Sequence, residues 1–333
     1  MKEVRDFRRR LLGWYGAAKR DLPWRRTRDP YRIWVSEVML QQTRVTAAIP
    51  YYERFLARFP TVESLAAAET EDVLTLWAGL GYYSRARNLQ AGARQVVAAG
   101  GFPRRYEQIR EIKGVGEYTA AAVASIAFGL PHAVLDGNVA RVLSRFLAEP
   151  GDVRNKATRD RLRAAGQRFL DPRRPGEFNQ ALMELGATLC LPRDPRCLLC
   201  PLREDCRARQ QGRQNEFPVK AKKQDTIEVE MTVAVIRRNG SVLLWRRGED
   251  SGRMAGFWEL PEERHLPSAR RLRVVGTIRH GITNHAYRVE VVESVLRRAP
   301  ASYRWVKDGD LASIPLSTIA RKALNLFVTP SVL

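Results

Sequence analysis

The sequence predicts an all-α body followed by a small α+β domain. As far as residue 190, apolar residues recur at helical spacing, and each segment closes on Pro or Gly. No alternating strand pattern occurs before residue 228. From residue 229 the apolar period changes to two, in short runs bounded by turn residues. A chain of 333 residues is long enough for two sizeable cores. The expected division is a helical domain over 1–212, a linker over 213–228 rich in Arg, Gln and Lys, and a second domain over 229–333.

In chain order, residues 3–19 place Phe7, Leu11, Trp14, Tyr15 and Ala18 on one helical stripe, and Leu22-Pro23-Trp24-Arg25 ends that helix. Asp29-Pro30 opens the next one, with Asp29 as N-cap and Pro30 in the first turn. Helices are expected over 44–58, 62–79 and 83–99, a short one ends at Ile112, and others span 117–128, 138–148, 155–169 and 177–190. The helix from 117 is almost all small residues, which permits close approach of neighbours. In the tail, strands over 229–236 and 242–245 flank Asn239-Gly240, a good hairpin turn. Further strands fit 273–279, 285–297 and 303–306, and a helix over 317–327 follows.

Lys and Arg total 57 against 36 Asp and Glu, a formal charge of +21 and a pI near 10.5. A basic excess of this size favours a polyanionic partner, nucleic acid above all, over a mere bias toward Arg and Ala. No N-terminal apolar run or long hydrophobic segment occurs, so neither secretion nor membrane spanning is expected. All four cysteines fall between 190 and 206, which argues against a disulfide scaffold. Cys190, Cys197, Cys200 and Cys206 are spaced C-x6-C-x2-C-x5-C. Four soft ligands at that spacing suit zinc or an iron-sulfur cluster, and the single C-x2-C pair favours a [4Fe-4S] cluster.

Several other stretches carry chemistry. Ile33, Glu37 and Gln41 share one helical face, with Glu37 flanked by Trp34, Val38 and Leu40. Glu37 either points outward or sits among apolar residues that favour its protonated form. Gly114-Val115-Gly116 makes a tight turn into a helix and leaves the amides of Gly114, Gly116 and Glu117 uncovered, a site for one oxygen-rich anion such as a DNA phosphate. Asp136 follows the apolar run Ala133-Val134-Leu135 at the next helix start. It either caps that helix or presents a carboxylate at a fixed separation from the phosphate anchor, and the helix dipole there favours the anion. Gly79-Leu80-Gly81-Tyr82-Tyr83 is a loop with two aromatics ahead of a basic helix start, able to wedge between bases or to pack over a helix end. In the tail, Gly256-Phe257-Trp258-Glu259-Leu260-Pro261 resembles Nudix sequences, but no following REUxEE-like glutamate cluster is present to hold magnesium over a pyrophosphate.

Taken together, WVSEVMLQQT at 34–43, GLGYYSRARNL at 79–89, GVGEYTAAAV at 114–123, LDGNVARV at 135–142 and the cysteine quartet resemble the MutY-type adenine DNA glycosylases of the helix-hairpin-helix superfamily. The resemblance covers nearly the whole chain. It implies a helix-hairpin-helix domain with an iron-sulfur loop and a Nudix-like C-terminal domain that reads the lesion without hydrolase activity. The implied reaction is excision of adenine mispaired with 8-oxoguanine or guanine in duplex DNA, in base excision repair. By the same resemblance, Glu37 is the general acid toward adenine N7, Asp136 stabilises the sugar cation at C1′ or adds to it, Tyr118 orients the carboxylates and Asn138 supports them. Gln42 fills the gap left by the flipped adenine, Tyr82 intercalates, and Thr43 and Leu80 line the surroundings of the oxidised guanine. Gly114, Val115 and Gly116 hold a backbone phosphate, and Thr283 and Asn284 match the lesion-reading loop.

Endonuclease III-like relatives with a strand-cleaving step place a lysine at the position of Tyr118, so base removal without an efficient lyase step is expected. The chain departs from the family pattern at Ile112-Lys113, in place of Leu-Pro, and at Ile282-Thr283-Asn284, where Phe-Ser-His is common. A monomer is expected, in the bacterial cytoplasm and at the nucleoid when acting. The alternatives are a thymine-mismatch glycosylase of the same superfamily, which usually lacks such a tail, and a non-catalytic damaged-DNA binding protein. A nucleotide hydrolase built on the tail is discounted by its missing carboxylates.

Overall fold

The computed structural model describes residues 2–220, 227–248, 251, 254–282 and 284–327. They form two compact units, one of residues 1–67 and 88–223, the other of residues 68–87 and 224–333.

The first unit is helical. It holds α1 (Lys2–Ala18), α2 (Pro30–Leu40), α3 (Val45–Arg58) and α4 (Val62–Ala66). After a segment belonging to the second unit, it continues through most of α6 (Ser84–Ala98), α7 (Tyr106–Glu111), α8 (Glu117–Phe128), α9 (Gly137–Leu147), α10 (Lys156–Phe169), α11 (Pro175–Thr188) and the short α12 (Arg207–Gln210). The helix expected over 62–79 is broken into α4 and α5 (Thr70–Trp77). Nothing in the Ala-rich sequence between them is a helix breaker. The break falls where the chain leaves one compact unit for the other, between residues 67 and 68. Tertiary packing has overridden local propensity there.

One core of this unit joins the apolar stripe of α1 to α9, α10 and α11. Phe7 stacks on Phe169 with ring centroids 4.4 Å apart and meets Phe146 edge-on at 4.8 Å. Leu11, Val142, Leu143, Leu162, Phe178 and Leu182 fill the space around them. The small residues of α8 serve close approach, as expected. A Cβ on Gly176, in the first turn of α11, would come 2.7 Å from the Ser125 carbonyl oxygen.

The second unit carries two small sheets. In one, β1 (Ile227–Val235), β6 (His285–Val295) and β5 (Arg270–Ile282) lie in that order, with β1 parallel and β5 antiparallel to β6. In the other, β3 (Ser241–Arg246) pairs with β7 (Tyr303–Lys307) on one edge and with β2 (Arg237–Arg238) and β4 (Trp258–Glu259) on the other. Asn239 and Gly240 take φ of 48° and 68°, as a tight hairpin turn requires. The turn joins β2 to β3, however, and β1 is drawn off to pair with β6 in the other sheet. A helix, α13 (Thr318–Asn325), packs Ala320, Ala323 and Leu324 against Val233, Val235, Val289 and Val291. No helix among the described residues is long and apolar enough to cross a membrane.

Candidate active site

The first unit contains a cavity of about 480 Å³ lined by residues of α2, α8, α9 and α11, within the ~300–1,000 Å³ range usual for small-molecule sites. Glu37 enters it from α2. That helix is started by Asp29, whose carboxylate accepts from the Tyr31 and Arg32 amides, and by Pro30 at its first position. Eight of its eleven residues are buried, including Glu37 at 4 % exposure. Burial pushes the Glu37 carboxyl up to about 7, against a lowering hydrogen bond from Tyr118, and the negative charge of Asp136 raises it further. The surface-glutamate reading is thereby excluded.

Tyr118 comes from the first turn of α8 and donates its hydroxyl to Glu37 Oε2 at 2.5 Å, with Met183 Sδ 3.3 Å away. Burial and the nearby Glu37 and Asp136 charges raise its pKa well above the ordinary tyrosine value, so the phenol holds its proton.

Asp136 is both the N-cap of α9 and a wall of the cavity. Its carboxylate accepts from the Val139 amide at 2.7 Å and from Asn138 Nδ2 at 3.1 Å. The helix start was expected to favour its anion. Burial outweighs these donors and lifts the carboxyl above the ordinary aspartate value. Asn138 is itself fixed from two sides. Its Oδ1 accepts from Arg141 at 2.8 Å, and α11 passes so close that a Cβ on Gly186 would lie 2.6 Å from Asn138 Cβ. Glu37, Tyr118, Asp136 and Asn138, chosen by sequence alone, thus line one cavity together with Gln42 and Thr43. Gln42 sits just after α2 at φ 59°, in the left-handed region.

Sequence reading missed another part of the lining. Glu184 on α11 is buried and accepts from the Arg20 guanidinium at 2.7 Å to each oxygen, from the Arg20 amide at 3.1 Å and from Arg25 at 2.7 Å. Burial would raise its carboxyl, but the two guanidiniums outweigh burial and hold it down at about 2. All three residues line the cavity. The signal in the sequence was a glutamate on the apolar face of an otherwise amphipathic helix, the same signal that singled out Glu37.

The glycine turn is formed as expected. Gly114 takes φ 79°, and a Cβ there would come 2.5 Å from Asn88 Cβ, so the position needs glycine. The amides of Gly114, Gly116 and Glu117 donate to no protein acceptor among the described residues, whereas the Val115 amide closes the turn onto the Ile112 carbonyl at 3.0 Å. Leu80 and Tyr82 belong to the second unit. Leu80 is buried, while Tyr82 takes φ 49° and is 48 % exposed, with the Arg85 guanidinium 5.7 Å from its ring. Thr283 lies outside the described residues; Asn284 sits in the turn between β5 and β6, where its carbonyl accepts from the Ile227 amide at 2.8 Å.

The cysteines correct an expectation. Among the described residues no group of three or more His, Cys, Asp or Glu is arranged to hold a metal ion, so the [4Fe-4S] cluster and a cluster-bearing loop are not supported. Cys190, Cys197, Cys200 and Cys206 are free, and the cavity they help to line measures only about 30 Å³, room for about one or two waters. Burial raises the thiols of Cys197 and Cys206 and takes that of Cys200 to about 12. What fixes this segment is the buried Arg145, which donates to the carbonyls of Leu191, Pro192 and Phe217 and lies 3.3 Å from Cys190 Sγ. Spacing counted the sulfurs but did not place them.

Comparison with known proteins settles the family. The profile described as HhH-GPD superfamily base excision DNA repair protein matches residues 35–168. The adenine DNA glycosylase of Homo sapiens is 36 % identical over 407 residues, covering 98 % of this chain and 74 % of the human protein. The chain belongs to the adenine DNA glycosylases. The Mus musculus member is likewise 36 % identical, over 98 % of this chain and 78 % of its own length. Its activity is accordingly adenine-specific DNA glycosylase activity, which sets aside the non-catalytic reading. A solved thermostable thymine-DNA glycosylase is 30 % identical with a TM-score of 0.58, but covers only 63 % of this glycosylase against 98 % of itself. The thymine reading therefore yields to relatives that match almost the entire chain. An endonuclease III–DNA complex, 21 % identical with a TM-score of 0.54 over 63 % of this chain and 97 % of its own, shares the fold.

Proposed function

We propose that this glycosylase hydrolyses the N-glycosidic bond of adenine paired with 8-oxoguanine or guanine in duplex DNA, acting as a monomer on a base flipped into the 480 Å³ cavity. The observation that carries the reading is Glu37, a buried carboxyl at about 7 in the same cavity as Asp136. Breaking this bond needs a proton for the departing base and negative charge beside the developing oxocarbenium. Glu37 gives its proton to adenine N7. Asp136, steadied by Val139 and Asn138, stabilises the cation at C1′, and water completes the sugar. Tyr118 orients Glu37 and, lacking an amine, forms no Schiff base, so the product is an abasic site in an intact strand.

Around this centre, Gly114 and Gly116 offer their amides to a backbone phosphate, with Val115 shaping the turn. Gln42 occupies the gap left by adenine, Tyr82 enters the duplex near the opposite base, and Thr43 and Leu80 are each offered to the oxidised guanine. Residues 1–212 carry the chemistry. Residues 229–333, joined by the 213–228 linker, form a Nudix-like domain that reads the oxidised base without hydrolysing nucleotides, using Thr283 and Asn284. A side-chain hydroxyl or amide there suits the edge on which 8-oxoguanine differs from guanine, a new donor at N7 and acceptor at C8.

The test is a single-turnover excision panel with adenine opposite 8-oxoguanine, guanine and cytosine, and thymine opposite guanine. Adenine release opposite 8-oxoguanine and guanine, leaving an alkali-labile but uncleaved strand, is expected. Faster release of thymine, or adenine release indifferent to the opposite base, overturns the proposal.

A further inference from the structure

Helix α10 carries five basic side chains, Lys156, Arg159, Arg161, Arg163 and Arg168. Four of them face a carboxylate. Lys156 meets Asp160 at 2.7 Å, Arg161 meets Glu149 at 2.6 Å, Arg163 meets Glu117 at 2.5 Å, and Arg168 lies 3.8 Å from Glu3. Arg159 has no ion-pair or side-chain hydrogen-bond partner among the described residues, and it lines the cavity that holds Glu37 and Asp136. The other two arginines of that lining, Arg20 and Arg25, are both committed to Glu184. Among the described residues, the cavity lining therefore presents the carboxyl groups of Glu37, Asp136 and Glu184, two arginines paired with Glu184, and one cation, Arg159, with no carboxylate partner.

Glu184 is compensated by Arg20 and Arg25, and Glu37 is buried beside the Tyr118 hydroxyl, which leaves Asp136 as the charge a phosphodiester meets and Arg159 as the cation free to grip it. A nucleotide rotated out of the duplex brings its flanking phosphates with it, toward a site where the Asp136 carboxylate repels them. A guanidinium can grip a phosphate through two parallel N–H donors and so fix position as well as charge. We propose that Arg159 is a positioning residue that holds a phosphate next to the flipped nucleotide and thereby sets C1′ against Asp136. This rests on the reading of the cavity as the adenine pocket. The ligand group is a backbone phosphate of the target strand, and Arg159 takes no part in the proton transfer.

The experiment uses the full chain and duplexes carrying non-cleavable 2′-fluoro-2′-deoxyadenosine opposite 8-oxoguanine. The linkages on either side of that nucleotide are replaced one at a time by neutral methylphosphonate. For the parent, one replacement should weaken binding about tenfold, ~1.4 kcal/mol on the affinity scale. In Arg159→Ala that same replacement should cost almost nothing, because the partner of the phosphate is already gone. The slope of log affinity against log salt should become shallower by about 0.9, the loss of one phosphate contact. Arg159→Lys should restore the slope while recovering only part of the affinity, since a point charge replaces a fork. A merely structural role would move the melting temperature but neither the slope nor the cycle. The proposal is overturned if Arg159→Ala keeps the full salt slope and both methylphosphonate penalties, or if it alters discrimination among purine analogues with the slope unchanged. A separate control protects the interpretation. If Glu37→Gln excises adenine like the parent, the cavity reading itself has failed; if Glu37→Gln is inactive and the cycle is additive, only the assignment of Arg159 has.

Discussion

Replacing Glu37 by Gln should make the protein more stable and nearly inactive, and both effects follow from one burial. The Glu37 carboxyl rises from an ordinary 4.5 to about 7 in the fold. At ~1.4 kcal/mol per pH unit, that rise corresponds to ~3 kcal/mol held against the folded state when the group is ionised. The folded chain binds its proton more tightly than the unfolded chain, so no cost exists below pH 4.5, where both are protonated. The cost grows as pH rises and is complete above about 7. Glutamine has the same shape, stays neutral, and keeps an oxygen to accept from Tyr118. Denaturant melts of parent and variant should therefore coincide near pH 4.5 and diverge to ~3 kcal/mol in favour of Glu37→Gln by pH 8. Single-turnover excision should fall by ~10²–10⁴-fold with the loss of the proton donor. In the parent, the rate should decline tenfold per unit above about pH 7 as Glu37 ionises. A stability difference that does not change between pH 5 and 8 would refute the burial argument. Excision by the variant within threefold of the parent would refute the role.

Asp136→Asn retains an oxygen for the Val139 amide but deletes a charge that burial disfavours, so melting at pH 7 should not fall while single-turnover excision drops by ~10²–10³-fold. Glu184→Ala leaves two guanidiniums in the cavity wall without their counter-charge and should cost ~3–5 kcal/mol by urea unfolding at pH 7. The difference between parent and variant should shrink as pH falls from 4.5 toward about 2, where the parent's own carboxylate is protonated. Gly186→Ala places a methyl group 2.6 Å from Asn138 Cβ with backbone atoms 3.1 Å behind it, so thermal melting should show ~1–3 kcal/mol of overpacking and excision should slow as Asn138 shifts from Asp136.

The helical body was legible because its elements announce themselves locally. Asp29-Pro30 starts a helix by its own hydrogen bonds, and the Phe7–Leu11 stripe buries where its period says it should. The turn at Gly114 was legible because only glycine tolerates φ 79° there. What escaped were relations between distant segments. The α4–α5 break depends on which compact unit each half joins, and the pairing of β1 with β6 is parallel across more than fifty intervening residues. The Asn239-Gly240 turn was foreseen, yet its strands were not, because a turn fixes only its immediate neighbours. Within the site, four residues chosen by motif met in one cavity, whereas Glu184 was overlooked because its meaning lies in Arg20 and Arg25, about 160 residues earlier. The cysteines failed differently: all four reach the lining of one small cavity, but among the described residues no three of them are arranged to hold a metal ion.

Burial raises both reacting carboxyls, so burial alone does not divide their labour. The division lies in their donors. Asp136 receives a backbone N–H and an amide N–H that are held in place by the start of α9, by Arg141 and by the close passage of Gly186. These donors stabilise only its anion. Glu37 receives a single phenol whose own proton is locked in place, a weaker claim on its charge than two fixed N–H groups in the surroundings of α2. The negative charge on Asp136 then works on Glu37 and raises it further. Under the proposed mechanism, an ionised Asp136 thus helps to keep the proton on Glu37 until adenine takes it. Once it has gone, the same negative charge that retained the proton faces the positive sugar, now joined by the carboxylate that Glu37 has become, with the Tyr118 hydroxyl ready to stabilise it. In the proposed mechanism the two carboxyls are coupled, so that the proton transfer would create, at the moment it is needed, the second of two negative charges on the forming cation.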